Sequence, residues 1–123
     1  MNNKQLGTDF EREVCEKLAK AGWWVHFMSP NNAGAQPFDI IAVKNGQALA
    51  GDCKTSSTNV FSFSRLEDNQ KYAFEKWLAC GNNEPMIIVK YGGKIFFLPY
   101  QQLKQELKID LNTYVDCGFI YGF

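Results

Sequence analysis

Pro37-Phe38-Asp39-Ile40-Ile41-Ala42-Val43-Lys44-Asn45-Gly46-Gln47-Ala48-Leu49-Ala50-Gly51-Asp52-Cys53-Lys54 is the stretch that decides the fold. Two apolar-rich runs, 38–44 and 47–55, flank Asn45-Gly46, the pair most favoured in a two-residue type I′ turn, and so predict a β-hairpin. In that register Lys44 faces Gln47, and counting outward Asp39 faces Asp52 in a non-hydrogen-bonded pair, the kind with the closer side chains. Strand periodicity puts Lys54 on the same face, two residues beyond Asp52, and Cys53 on the other. Like charges directly opposed destabilise a sheet. Such a pair needs a shared proton or a cation, and oxygen ligands suit a hard ion such as Mg²⁺ or Mn²⁺. The rest of that face is Ile41, Val43, Ala48 and Ala50; the reverse face is Phe38, Ile40, Ala42, Leu49, Gly51 and Cys53. Strands this apolar on both sides read as central and covered by helices. Charges grouped at one end of such a hairpin point to function, against the plainer reading of a solvated strand end where Asp-x-Lys is coincidental.

The length, 123 residues, fits one domain spanning 1–123 with a substantial core. No segment has the apolar length of a membrane span, and the first residues lack a signal peptide's apolar stretch, so an intracellular protein with no membrane association is expected. Cys15, Cys53, Cys80 and Cys117 are scattered without zinc-site spacing and read as reduced thiols with no assigned chemistry. His26 lies in an apolar run and reads as a strand residue. Thirteen basic residues balance thirteen acidic ones, which counts against nucleic-acid binding unless charge is segregated by face or a divalent cation offsets the acidic pair.

Leu6, Phe10, Val14 and Leu18 recur every four residues, predicting with Cys15 and Ala21 an amphipathic helix that ends near Gly22. A strand over 23–28 follows. Residues 29–36, with Pro30, Asn31, Asn32 and Gly34, read as a loop beside the hairpin. After Lys54 comes a polar stretch, 55–59, as loop or strand end, and then Val60-Phe61-Ser62-Phe63. Ser64 with Glu67 forms a capping box for a helix that turns Leu66, Gln70, Ala73, Phe74, Trp77 and Leu78 inward and stops at Gly81. Residues 86–91 and 94–98, joined by Gly92-Gly93, predict a second hairpin. A short helix over 100–107 follows, and the aromatic tail 114–123 reads as an edge strand or a subunit contact. This order gives an α/β fold, a mixed sheet flanked by helices.

Glu11 in the first helix, Pro37-Phe38-Asp39 and Asp52-Cys53-Lys54 together resemble the P-D-x(n)-(D/E)-x-K nuclease superfamily, which implies a restriction-endonuclease-like core. Gly7-Thr8-Asp9-Phe10-Glu11, Phe61-Ser62-Phe63 leading to Gln70, Met86-Ile87-Ile88-Val89 and Phe97-Leu98-Pro99-Tyr100 resemble the Holliday junction resolvases of the RecU type and their archaeal relatives. Position 52 carries Asp where those resolvases usually have Glu, and Asn69 precedes Gln70 where RecU-type chains often have His. The resemblance implies that Asp39, Asp52 and the Cys53 backbone carbonyl bind Mg²⁺, with Mn²⁺ as a substitute, and that Lys54 orients the attacking water and stabilises the phosphorane.

Glu11 has two readings: a catalytic residue positioning metal or water, or the last member of a Thr8-to-Glu11 capping box. Gln70, polar at helical spacing between Leu66 and Phe74, is either a site residue or a satisfied core amide. Thr55, Ser56 and Ser57 follow the lysine and are candidate phosphate contacts. Ser29 joins them as a DNA-binding candidate at the head of the loop. Trp23 and Trp24 are candidate base-stacking groups, but neighbours on a strand face opposite ways, which commits at least one to the core. The expected function is a Mg²⁺-dependent endodeoxyribonuclease, a homodimeric resolvase of branched or four-way DNA. The rivals are a related nuclease acting on flaps, nicks or linear duplex, a non-catalytic DNA-binding module on the same fold, and a small structural or partner-binding protein.

Overall fold

The computed structural model describes residues 3–28 and 37–123, with the side chains of the first helix described from Asp9 onward. The expected loop 29–36, Ser29 included, lies outside the described residues. The chain runs α1 (Asn3–Lys20), β1 (Trp24–Phe27), β2 (Ile40–Lys44), β3 (Gln47–Thr55), β4 (Val60–Ser62), α2 (Asp68–Ala79), β5 (Met86–Tyr91), β6 (Lys94–Pro99), α3 (Tyr100–Glu106) and β7 (Lys108–Asp110).

Five strands form one sheet in the order β1-β2-β3-β5-β6, while β4 and β7 make a separate two-stranded ribbon. The β3/β5 pair is parallel and the other three pairs are antiparallel, so the sheet is mixed, as expected. Both tight turns have the φ > 0 pairs that a type I′ turn requires: Asn45 and Gly46 at 52° and 76°, Gly92 and Gly93 at 58° and 76°. The hairpin register holds from Lys44↔Gln47 to Ile40↔Gly51. Gly51 sits where Ile88 packs so closely that a Cβ would meet Ile88 Cδ1 at 2.9 Å, which ties β3 tightly to β5 beside the site.

Helix α1 covers one face of the sheet. Phe10, Val14 and Leu18 pack there on Ile40, Leu49 and Ile88. The other face carries α2 and α3 through Phe74 and Leu103 against Ala50, Ile87 and Leu98, with Phe61 and Ile109 of the ribbon closing the layer.

Four expectations need correction. Helix α1 begins at Asn3, which leaves Thr8 and Glu11 in its interior; the Thr8–Glu11 capping box is excluded because an interior amide already has its partner four residues back. The box at Ser64 and Glu67 is shifted as well. Ser62 caps a 3₁₀ turn over Phe63–Arg65, and α2 starts later, with Glu67 as N-cap and Gln70 closing the box. The tail is no edge strand: Gly118–Tyr121 is a 3₁₀ turn, and Tyr121 and Phe123 fold back on Phe97 with ring centroids 4.6 and 4.9 Å away. The fourth concerns Phe38. Strand alternation placed it with Ile40, yet it packs with Ala50 and Phe74 on the α2 face. The reason is a break in the strand at Asp39.

Candidate active site

Strand β2 leaves the ladder one residue short of the expected Asp39/Asp52 pair. The Asp39 amide donates to the Gly51 carbonyl at 3.0 Å, the carbonyl that also faces Ile40 in the ladder. Two successive residues against one is the pattern of a bulge, which kinks a strand and re-aims its side chains. The Asp39 carboxylate is thereby turned along the sheet edge, where Oδ2 accepts the Cys53 amide at 2.7 Å. Within a strand the N–H and C=O of one residue point to the same edge. The Cys53 carbonyl therefore also faces the gap that β2 has vacated, beside Asp39.

Asp52 lies one residue earlier on β3, fully buried. Its Oδ1 accepts a hydrogen bond from Gln70 Nε2 at 2.8 Å, while its Oδ2 has no hydrogen-bond partner. Lys54 Nζ stands 3.6 Å from that oxygen, an ion-pair distance beyond hydrogen-bonding range. Burial raises the Asp52 pKa above the ordinary carboxylate range, as does the nearby Asp39 carboxylate; Lys54 opposes the shift. Two acids are thus brought together even though they are not ladder partners.

Gln70 is a satisfied core amide, and one of its partners is a candidate acid of the site. It is buried, its Oε1 accepts the Glu67 amide at 3.0 Å to cap α2, and its amide nitrogen orients Asp52. The α2 N-terminus is in this way bolted to the site. Glu11 approaches from α1: burial, then the charge of Asp39, push its carboxyl up to about 7, and Lys54 pulls the other way. The four charged groups form one electrostatic cluster between the two helices. Cys53 points to the α1 face, where burial first and the nearby acids second hold its thiol protonated, so it takes part through its backbone alone. Among the described residues Cys15, Cys80 and Cys117 are likewise free thiols.

The polar stretch after Lys54 divides. Thr55 ends β3, and its carbonyl accepts from Arg65 Nη2 at 3.0 Å. Ser56 is committed to its own turn, donating from Oγ to the Thr58 carbonyl at 2.7 Å. Ser57 is exposed beside them. Arg65 escaped the sequence reading, since its tie to Thr55 depends on the 3₁₀ turn that precedes α2. Trp23 packs against the α1-side core and Trp24 is exposed, stacked on His26 at 6.2 Å, at the β1/β2 end away from the acids.

The donors fit a hard divalent cation. A buried carboxylate oxygen without a donor, a second carboxylate beside it and a backbone carbonyl facing the same gap are oxygen ligands of the type Mg²⁺ and Mn²⁺ take. No group of three or more His, Cys, Asp and Glu side chains among the described residues is arranged to hold a metal. The protein ligands would thus be few, which suits an ion that keeps several waters.

An α/β sheet with two acids and a lysine at the end of its central hairpin defines the P-D-x(n)-(D/E)-x-K nuclease superfamily, and the comparisons with known proteins agree. Residues 2–117 match the model of the archaeal Holliday junction resolvase (Hjc) family, and the chain belongs to that family. The crossover junction endodeoxyribonuclease Hjc of Methanocaldococcus jannaschii is 29% identical over 92 residues, covering 75% of this chain and 64% of the relative. The match therefore spans just under two thirds of that relative's length. The structure of Hjc from Archaeoglobus fulgidus, a Holliday junction resolvase, superposes with a TM-score of 0.70 at 23% identity, covering 93% of this chain and 97% of that one, and carries the fold.

Proposed function

We propose that residues 1–123 act as a single nuclease domain that hydrolyses phosphodiester bonds in four-way DNA junctions with a divalent cation, Mg²⁺ or Mn²⁺. The observation that carries this reading is the Asp52 carboxylate, fully buried with Oδ2 undonated, beside Asp39 and 3.6 Å from Lys54. Burying an ion costs several kcal/mol unless it is paired, and no structural need of the hairpin calls for it. Family membership supports the junction as substrate.

Asp39, Asp52 and the Cys53 carbonyl would hold the cation. When bound, it polarises the phosphoryl oxygen and lowers the pKa of water. Lys54 supplies a fixed positive charge where charge develops on the phosphoryl group, and positions the attacking water. Gln70 acts through Asp52, fixing the rotamer that aims Oδ2 at the gap. Glu11, with its carboxyl pushed to about 7, holds or accepts a proton near neutral pH, in the range a general base needs. Thr55, Ser56 and Ser57 lie at the end of the same strand, where hydroxyls and amides meet phosphate. A symmetric junction is cut in pairs, which suits a homodimer.

The test incubates purified protein and Mg²⁺ with a four-way junction. Paired nicks in opposed strands are expected, and Asp39→Asn or Lys54→Ala abolishes them while circular dichroism stays unchanged. Equal cutting of linear duplex would remove the junction preference, and no cutting of any substrate with Mg²⁺ or Mn²⁺ would refute the enzyme.

A further inference from the structure

A second convergence of cations lies outside the catalytic cluster. The ion pairs among the described residues are Lys54–Asp52, Lys90–Glu13 and Lys104–Glu75, and none takes up Lys71 or Lys108. These two line a cavity of about 360 Å³ together with Ser62, Phe63, Ser64 and Leu107, a wall that contains no acid. The β4/β7 ribbon builds it by pairing Ser62 with Lys108, since directly opposed residues share a face. The Ser62 and Ser64 hydroxyls lie 2.9 Å apart, and Ser62 Oγ accepts the Ser64 amide at 3.3 Å. One hydroxyl proton is consumed between them and the other is left to donate outward. Lys71 Nζ rests 4.6 Å from the centre of the Phe63 ring, a cation–π contact that holds the ammonium on the wall. Asp110, the acid of β7, is engaged by Asn59 Nδ2 at 2.9 Å and the Asn112 amide at 3.0 Å.

Two ammonium groups, a free hydroxyl proton and no carboxylate are the chemistry of a phosphate site. Its place in the chain assigns the phosphate to the nucleic-acid backbone. Lys71 follows Gln70, which touches Asp52, and Arg65 of the same 3₁₀ turn as Ser64 is tied to Thr55 at the end of the catalytic strand. We propose that this cavity is a backbone-phosphate subsite for the DNA arm beyond the bond that is cut. The inference rests on the nuclease reading above. It also bears on the objection raised by zero net charge, because two cations left without an acid face this one wall.

The experiment measures equilibrium binding of a four-way junction, in EDTA, as a function of salt for four proteins: wild type, Lys71→Ala/Lys108→Ala, Lys71→Arg/Lys108→Arg, and Lys20→Ala/Lys104→Ala as an equal loss of charge elsewhere. The alanine pair is expected to weaken binding and to lower the slope of log K against log salt by about 1 to 2 per protomer, at about 0.9 for each phosphate that the protein no longer neutralises. The arginine pair and the Lys20/Lys104 pair keep the wild-type slope. A wild-type slope in the alanine pair, with junction cleavage by the wild type intact, overturns the subsite and leaves the nuclease reading standing. An equal fall in the Lys20/Lys104 pair overturns it as a general charge effect. If the wild type neither binds nor cuts DNA, both readings fall together.

Discussion

Replacing Asp52 by Asn should destroy cleavage and stabilise the metal-free protein. At an effective dielectric of about 20, the attraction between Asp52 and Lys54 across 3.6 Å is about 4–5 kcal/mol. The repulsion from Asp39 opposes it and is the larger of the two effects, so the neighbouring charges give the carboxylate no net help. Desolvation of the buried carboxylate then decides the balance, at several kcal/mol, against a hydrogen bond from Gln70 that stabilises by about 1.5–3 kcal/mol. An asparagine keeps that bond through its carbonyl and turns an N–H toward the Asp39 carboxylate. The net gain should be about 1–3 kcal/mol. For 123 residues each kcal/mol is worth about 4 °C in Tm, so the variant should melt about 4–12 °C higher in EDTA at pH 8.

The pH dependence carries the sign. A carboxyl whose folded pKa is raised contributes stability that is full below its unfolded value, near 3.8, and is lost as pH climbs through the folded value. The wild type should therefore weaken more steeply with rising pH than Asp52→Asn, and the gap in Tm should close toward pH 4. Excess Mg²⁺ should narrow it from the other side by stabilising the wild type alone, about 2.7 kcal/mol at one hundred times Kd. A variant that melts below the wild type in EDTA at pH 8, or a gap that ignores pH, would refute the argument.

Gln70→Ala removes a bond to a buried charge and the cap on α2, at about 2–3 kcal/mol by urea unfolding; Gln70→Glu should be worse at pH 8, because it sets an anion against Asp52. Glu11→Gln tests the carboxyl held near 7: wild-type cleavage should rise as pH passes through about 7, and the variant should be slow with no such limb. The metal-free wild type should lose stability between pH 4.5 and about 7 as Glu11 ionises, and Glu11→Gln should lack that loss. Lys54→Arg keeps the charge but not the reach of an ammonium, so kcat should fall at least about a hundredfold with the unfolding curve unmoved. Both Asp39→Ala and Asp39→Asn remove the repulsion on Asp52, but only Asp39→Ala leaves the Cys53 amide without its acceptor, so it should be about 1–3 kcal/mol less stable than Asp39→Asn by urea unfolding without metal.

What the sequence discloses best is what local chemistry dictates. Asn45-Gly46 and Gly92-Gly93 require positive φ twice in succession, and from them follow both hairpins, the register over Ile40–Lys44 and the gathering of acids at one end. The four-residue recurrence of Phe10, Val14 and Leu18 likewise marks the face of α1 that enters the core. Alternation failed at Asp39, because a bulge is a one-residue insertion with no composition of its own. That failure misplaced Phe38 and made a ladder pair of two residues that meet in another way. The capping box moved because Ser64 and Glu67 satisfy its spacing as well as Glu67 and Gln70 do; only the contact from Gln70 to Asp52, eighteen residues apart in the chain, selects between them. The short strand β7 carries just Ile109 inward, too little for a periodicity to show.

The two acids of this site ought to have opposite effects on the fold, and that asymmetry follows from the break in β2. Where β2 departs, the Cys53 amide loses its ladder partner, and a buried amide must find another acceptor. Asp39 Oδ2 takes the role at 2.7 Å, so this carboxylate is a structural acceptor as well as a proposed ligand, and removing it opens the hairpin's end. Asp52 has no comparable duty: one oxygen rests on Gln70 and the other has no donor. The strain of the site is concentrated in that single atom. A bulge that only terminated the strand would need neither a buried second acid nor a helix cap tethered to it. The arrangement has a physical rationale once a cation completes it, and the stability of Asp52→Asn against that of Asp39→Ala, measured without metal, separates a site built for a cation from a hairpin that is merely frayed.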